Sequence, residues 1–185
     1  MVVANPSDTL TLRILDHLRN NLTPGQAMEA VLPYLGQQLQ CDRVFVYLRH
    51  PDTRRGRVPF CWRRGDEVPL VYDPHWKLEP ESLEADDPMF AAALALAPSI
   101  FVKDVETAGP HVLNRQFEQE NFGHRALIHA HLSLEGQLWG VLQPCVFNAP
   151  RAWTPKDHIL IQRAVAWFTP FALEYVLKNS PHHDC

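Results

Sequence analysis

Histidine and cysteine side chains in the second half of the chain are of the types that hold metal ions or haem. His124, His129 and His131 form the densest histidine cluster. Alternate residues of a β-strand share a face, so His129 and His131 would point the same way, as two metal ligands do. A two-residue turn at Glu135-Gly136 would place Cys145 on the face of the hairpin opposite to His129 and His131. A three-residue turn would place all three on the same face. A metal site needs three or four convergent ligands, so we expect hydrogen-bonded or half-exposed histidines.

The cysteine pattern argues against zinc binding and against thiol catalysis. The chain has four cysteines with no CxxC pair, at Cys41, Cys61, Cys145 and Cys185. This spacing matches no zinc motif, and we expect free thiols, some of them buried as small apolar groups. The sequence also lacks GxSxG, P-loop and HExxH patterns, so no enzyme activity is predicted.

Arginine is concentrated around the first predicted connection between strands. Six arginines fall within residues 49–64, namely Arg49, Arg54, Arg55, Arg57, Arg63 and Arg64. Such a segment could dock an acidic partner, a phosphate ligand or RNA. The alternative is a solvated hairpin whose charges balance the acidic stretch 79–87, which we expect to be a solvated loop. The net charge of −4 and the isoelectric point near 6.2 favour this alternative and argue against nucleic acid.

The predicted helices begin at recognisable caps. The Thr-Pro-Gly-Gln sequence at 23–26 and the Thr-Pro pair at 154–155 each provide an N-cap threonine followed by proline. Leucine spacing predicts an N-terminal helix within 9–20, and shorter helices are predicted at 88–97 and 114–120. Proline in the pair 169–170 should kink or restart the last helix.

β-Branched and aromatic runs predict five strands. They cover residues 43–48, 58–62, 99–104, 126–134 and 137–147, the last two joined as a hairpin. We expect less regular secondary structure in residues 65–100.

The order of these elements predicts a single α+β domain. Its central sheet is antiparallel, with N- and C-terminal helices on one face and a pocket-forming middle segment on the other. We expect an N-terminal helix over 1–22, the domain proper over 23–178 and a flexible tail over 179–185. No apolar run approaches a membrane span and no signal peptide is visible, so a cytoplasmic location is expected.

Four segments resemble the bilin-binding GAF domains of phytochromes and cyanobacteriochromes over residues 23–178. They are Leu-Trp-Gly-Val-Leu at 138–142, Pro-Arg-Ala-Trp at 150–153, Ile-Phe-Val-Lys-Asp-Val at 100–105 and Phe-Gly-His-Arg-Ala at 122–126. The resemblance implies a GAF-like fold and a pocket between the sheet and the middle segment.

The positions that bind the chromophore in that family differ here. The resemblance aligns the chromophore-attaching cysteine with Asn114, the histidine after it with Arg115, and a bilin-contacting histidine with Cys145. An amide cannot attach a bilin as a thiol does, so no covalent bilin is expected. Arg125 and Arg151 could still meet a carboxylate.

The resemblance implies a candidate pocket and a mode of action. The pocket would be lined by Asp104, Asn114, Arg115, Phe122, Arg125, His129, Trp139 and Cys145. We expect a non-photoactive, stand-alone regulatory or sensory module that binds an unidentified small molecule non-covalently, associates with a protein partner, or does both. A homodimer would form through apolar helix faces carrying Leu10, Ile14, Leu18, Ile161, Val165 and Phe168.

Two alternative functions are implied by the same family. One is a photosensory protein that binds a bilin or another tetrapyrrole. The other is a thiol-dependent reductase of the GAF type, with Cys61 and Cys145 as candidates by residue type only.

Overall fold

The computed structural model describes residues 21–181 of the chain, which contain six strands and five helices joined by loops. The strands are β1 (Arg43–His50), β2 (Arg55–Arg63), β3 (Asp73–Leu78), β4 (Ile100–Val102), β5 (Ala126–Leu134) and β6 (Gln137–Val146). The helices are α1 (Pro24–Gln38), α2 (Leu83–Asp86), α3 (Pro88–Leu94), α4 (Arg115–Asn121) and α5 (Pro155–Asn179). The strands form one antiparallel sheet, as the sequence predicted, and their order is β3-β2-β1-β6-β5-β4.

The sheet separates two layers of different character. One face packs on α1 and α5 and is apolar; we call it the helix-packed face, and from the strands it carries Val44, Val46, Leu48, Ile128, Ala130, Leu132 and Leu142. The opposite face, the polar face, carries Arg43, Phe45, Leu127, His129, His131, Gln143 and Cys145. Helix α3 and residues 103–125 pack on the polar face, and we call these two segments together the cover. This arrangement confirms the predicted α+β fold.

Both long helices begin with the predicted capping boxes. The Thr23 side chain accepts a hydrogen bond from the backbone N–H of Gln26. The Thr154 side chain likewise accepts one from the backbone N–H of Asp157. Pro170 does not restart the last helix, because α5 continues through it to Asn179, and the alternative expectation of a kink at this position stays a prediction.

A β-bulge in β6 changes the register that the hairpin turn sets. Glu135 and Gly136 form the predicted two-residue turn with φ values of 53° and 75°. Beyond Leu138 the pairing shifts, so that Leu132 faces Gly140. A side chain at Gly140 would place a Cβ 2.3 Å from the carbonyl oxygen of Tyr47 in β1, so glycine allows this close approach.

Residues 65–100 hold the largest departures from the predictions. Strand β3 was not predicted, and the whole acidic stretch was expected to lie in solvent. Glu79 and Asp87 are instead 5% and 7% exposed. Glu79 pairs with Arg49, and Asp87 caps α3 by accepting from two backbone amides. Both carboxylates are buried because each has partners there.

The predicted helix within 9–20 and most of the tail lie outside the described residues. No helix of residues 21–181 is both long and apolar enough to cross a membrane.

Candidate functional site

The bulge brings the hairpin histidines and Cys145 onto the same face, which corrects the sequence-based placement. Leu127 pairs with Cys145 and His131 with Val141, so all four residues share the polar face with His129. The expected separation of Cys145 from the histidines is therefore wrong, since a bulge reverses the alternation of a strand just as a longer turn would. Within residues 21–181, however, no three His, Cys, Asp or Glu side chains converge to hold a metal ion.

His129 and His131 form a buried hydrogen-bonded pair with a defined tautomer. The Nδ1 of His131 lies 2.7 Å from the carbonyl oxygen of Ala97, which can only accept, so this nitrogen carries the proton. Burial lowers the pKa of both imidazoles, and His131 Nε2 accordingly accepts from His129 Nδ1 at 3.0 Å. The remaining Nε2 of His129 is thus left with a lone pair.

Arg43 lies fully buried on the polar face and connects three elements. Its guanidinium donates to the carbonyl of Pro69 at 2.8 Å and to that of Phe122 at 3.4 Å. It also donates to His124 Nδ1 at 3.4 Å, which requires the proton of that ring to be on Nε2. His124 Nε2 then donates to Glu118 Oε2 at 2.7 Å. A neutral imidazole therefore separates the cation from the carboxyl group.

Two buried carboxyl groups of the segments that pack on the polar face have raised pKa values. Burial raises the pKa of Glu118 to about 8, although the nearby Arg43 acts in the opposite direction. Burial also raises the pKa of Asp87 to about 6. Both groups are therefore sensitive to pH in a range where most carboxyl groups are fully ionised.

Several buried polar atoms on the polar face lack a hydrogen-bond partner among the described residues. They include Nε of Arg43 and the amide nitrogen Nε2 of Gln143, whose residues are 0% and 3% exposed. Gln143 lies opposite Phe45 in the sheet, with His129 on the neighbouring strand. Buried donors are normally satisfied, and exceptions are common where a ligand binds.

The predicted pocket residues divide between the cover, the polar face and the surface. Phe122 stacks on Phe45 with ring centroids 5.8 Å apart, and Cys145 is buried beside them. Together with His129, these predicted residues lie in the layer between sheet and cover. Trp139 does not, because it packs in the core of the helix-packed face, and the bulge changes the face only of the β6 residues that follow it.

The remaining predicted pocket residues serve local structure. Asn114 caps α4 by accepting from the Phe117 amide, and Arg115 on the same helix is exposed. Asp104 and Arg125 form a partly exposed ion pair at 2.6 Å, which lowers the pKa of Asp104. These four side chains therefore mark the outer boundary of the cover rather than its interior.

The apolar face predicted for dimerisation is partly used within the protomer. Ile161 and Phe168 are 1% and 0% exposed and pack in the core of the helix-packed face, with Val165 partly buried beside them. Ile161 and Phe168 cannot therefore form the interface assigned to them. Leu10, Ile14 and Leu18 lie outside the described residues.

The arginine-rich segment is not a single basic surface. Arg49 forms a buried bidentate pair with Glu79 at 2.7 and 2.9 Å, and Tyr47 donates to the same carboxylate. Arg57 lies between the rings of Trp76 and Tyr175. These arginines hold β1, β2 and β3 to their neighbours, which leaves a smaller basic surface than the sequence suggests.

Two of the described thiols have a raised pKa. Cys41, Cys61 and Cys145 are all free. Burial raises the pKa of Cys41 and of Cys61, the reverse of what a nucleophilic thiol requires.

The buried polar interior of this layer was not predicted from the sequence. It consists of Arg43, Glu118 and Gln143, with His124 hydrogen-bonded to both Arg43 and Glu118. Two of them had a detectable signal. Arg43 and Gln143 each stand in an otherwise apolar strand sequence, where a polar side chain requires a partner.

A surface groove of about 590 Å³ lies apart from this layer, on the far side of β2. Its walls include Glu29, Arg57, Tyr72 and Tyr175. The groove is open to solvent, unlike the enclosed layer beneath the cover.

The fold and the family comparison agree on the class of this protein. The model of the GAF domain family matches residues 23–168, and the chain belongs to this family. Comparison with curated proteins returns no match.

The fold is also similar to solved GAF domains. The phycocyanobilin-bound GAF domain of a cyanobacterial phytochrome is 17% identical, with a TM-score of 0.71 over 97% of this chain and 100% of that one. The blue-light absorbing form of the PixJ GAF domain from Thermosynechococcus elongatus is 19% identical, with a TM-score of 0.64 over 88% and 94%. The GAF domain of Acinetobacter phosphoenolpyruvate-protein phosphotransferase is 8% identical, with a TM-score of 0.69 over 97% and 100%. GAF domains are sensory and regulatory modules, and the structural neighbours include bilin-binding members.

Proposed function

We propose that this chain is a cytoplasmic, non-photoactive sensory module that binds a small molecule non-covalently between the polar face and the cover. Ligand occupancy would then change how the cover sits on the sheet, and the C-terminal helix would report that change.

The observation that carries this proposal is the set of unused polar atoms in the buried layer. Arg43 Nε and Gln143 Nε2 are buried donors without partners among the described residues. On the same face, the Nε2 of His129 can accept a hydrogen bond, because its Nδ1 donates to His131. Leaving such groups unpaired costs about 1–3 kcal/mol each. A ligand with complementary polar groups would recover that free energy.

The chemistry of the cover favours non-covalent binding. The Asn114 side chain, at the position that the resemblance aligns with a chromophore-attaching cysteine, is an amide occupied in capping α4. Cys61 and Cys145 are thiols of this layer, and the Sγ of Cys145 lies 3.5 Å from the carbonyl oxygen of Gln143. Attachment through Cys145 is the form that the photosensory alternative would take.

The contacts of strand β4 provide a route from the cover to α5. Just before that helix, Trp153 donates to the carbonyl of Val102 at 3.0 Å, and the Arg151 amide donates to the carbonyl of Lys103 at 2.8 Å. Phe101 stacks on His158 in the first turn of α5 with centroids 3.7 Å apart. A displacement of residues 103–125 therefore acts directly on the start of the longest helix.

Association with a second protein, or with a second copy of the chain, is the other candidate. Leu70, Tyr72 and Leu78 are 53–61% exposed, and Leu78 ends β3, an edge strand of the sheet. Exposed apolar side chains at an unpaired edge are typical of an association surface. Light scattering of the purified protein tests self-association, and a monomer at all concentrations contradicts that form of the candidate.

Native mass spectrometry combined with absorption spectroscopy tests the main proposal. We expect protein purified from its source to carry an added mass that is lost on denaturation, without a visible absorption band. A mass that survives denaturation, or a visible band after co-expression with a bilin pathway, would instead establish the photosensory alternative. Protein that neither retains nor takes up any small molecule would contradict ligand binding.

A further inference from the structure

Arg43 is a buried cation without a carboxylate in contact. Its described partners are two backbone carbonyls and one imidazole nitrogen, and the side chain is fully buried. The rings of Phe45 and Phe147 flank it, with centroids 5.5 and 4.8 Å from the guanidinium carbon. A buried charge is costly unless an opposite charge and full hydrogen bonding compensate it.

The carboxyl group linked to Arg43 does not fully balance this charge near neutral pH. Glu118 is reached only through His124, and burial raises its pKa to about 8. Below that pH Glu118 is mostly protonated, so the positive charge of Arg43 is largely uncompensated. Arg43 therefore lacks a directly contacting counter-charge within the layer.

The unused donors lie on the same face as this charge. Arg43 pairs with Cys145 and Phe45 with Gln143 in adjacent antiparallel strands, so Arg43 and Gln143 project to the same side, two positions apart. Each leaves one nitrogen donor without a partner. Around them the layer is apolar, lined by Phe45, Met89, Val102, Leu113 and Leu127.

We propose that the polar face binds a small organic carboxylate, whose oxygens accept hydrogen bonds from Arg43 and Gln143 and whose apolar body packs among the surrounding side chains. This inference rests on the proposed function and names its ligand class. A carboxylate supplies both the charge and the acceptors that the site lacks. The apolar lining favours an organic body over an inorganic oxoanion.

The same contact links binding to the cover. Arg43 donates to the carbonyl of Phe122 at a long 3.4 Å, and this bond joins sheet to cover. A carboxylate is a stronger acceptor than a backbone carbonyl and would compete for the guanidinium. Binding would thereby release Phe122 and change the position of the cover.

Isothermal titration calorimetry with paired probes tests the inference. The probes are acetate, benzoate and succinate, their neutral amides acetamide, benzamide and succinamide, and inorganic phosphate. We expect at least one carboxylate to bind about tenfold or more tightly than its amide, the scale of one charge-assisted hydrogen bond. Gln143→Glu should abolish that binding by repulsion, whereas Gln37→Glu, the same change at an exposed position of α1, should leave it unchanged.

The outcomes separate this inference from the proposed function. Amides that bind as tightly as carboxylates, or carboxylate binding that survives both Gln143→Glu and the uncharged Gln143→Met, would overturn the inference while leaving small-molecule binding intact. Tighter binding of phosphate than of every organic probe would overturn the conclusion that the ligand has an organic body. No binding of any probe, with no co-purifying ligand, would overturn both. Circular dichroism of each variant establishes that it is folded.

Discussion

Replacing Gln143 with methionine should stabilise the ligand-free protein. The side chain is 3% exposed in a central strand, and its amide nitrogen has no partner among the described residues. Methionine keeps the length of the side chain and removes the unpaired donor. Since an unsatisfied buried donor costs about 1–3 kcal/mol, we expect Gln143→Met to raise the free energy of unfolding by about that amount. For a chain of this size that is roughly 2–10 °C in Tm.

Urea unfolding followed by tryptophan fluorescence measures this effect. The control is Gln37→Met on the exposed side of α1, which should change the free energy of unfolding by no more than about 0.5 kcal/mol. The same Gln143→Met protein should lose ligand affinity, as expected where a binding site sacrifices stability for function. If Gln143→Met instead destabilises the protein by more than about 1 kcal/mol, the amide is satisfied in the ligand-free state. Gln143 would then not be an unused donor, and the premise of the proposed site would be refuted.

Three further changes test the fold around the site. Glu79→Gln breaks the buried pair with Arg49 and should cost about 3–5 kcal/mol in urea unfolding, because it leaves a buried guanidinium uncompensated; a cost under about 1 kcal/mol would contradict that pairing. Gly140→Ala should cost about 2 kcal/mol or more, since the added Cβ meets the Tyr47 carbonyl, and an unchanged Tm would contradict the bulge geometry. Below the pKa of Glu118 in the unfolded chain, near 4.5, the protonated side chain makes its full contribution to the stability of the fold. This contribution is lost as the pH rises towards the pKa in the folded protein, about 8. Glu118→Gln should therefore gain stability relative to the parent between pH 5 and pH 9, and parallel pH profiles would contradict the raised pKa.

Local sequence signals predicted most of the elements of the fold. The two threonine caps and the Glu135-Gly136 turn carry their own short-range chemistry, and all three are confirmed. Strand β3 was missed because its sequence, Asp-Pro-His-Trp-Lys-Leu, has weak strand propensity and the irregular segment 64–72, rather than a tight turn, joins it to its partner β2. Tertiary pairing determines such a strand.

The candidate site was less predictable, because it depends on register and burial. A single bulged residue at Trp139 reversed the face assigned to Cys145, and no sequence pattern marks its position. Likewise, Glu79 reads as part of a solvated acidic run until Arg49 is placed opposite it. The interior polar residues Arg43 and Gln143 could have been suspected from their apolar strand context alone.

Side-chain NMR of the two unused donors tests the location of the ligand site most directly. The spectra would follow Arg43 Nε–H and the Gln143 amide during titration with the tightest-binding carboxylate probe, with the Gln37 amide as reference. We expect the Arg43 and Gln143 resonances to move together and saturate with the binding isotherm, while Gln37 stays fixed. Saturable shifts confined to Arg57 and Tyr175, in the surface groove, would contradict binding between the polar face and the cover.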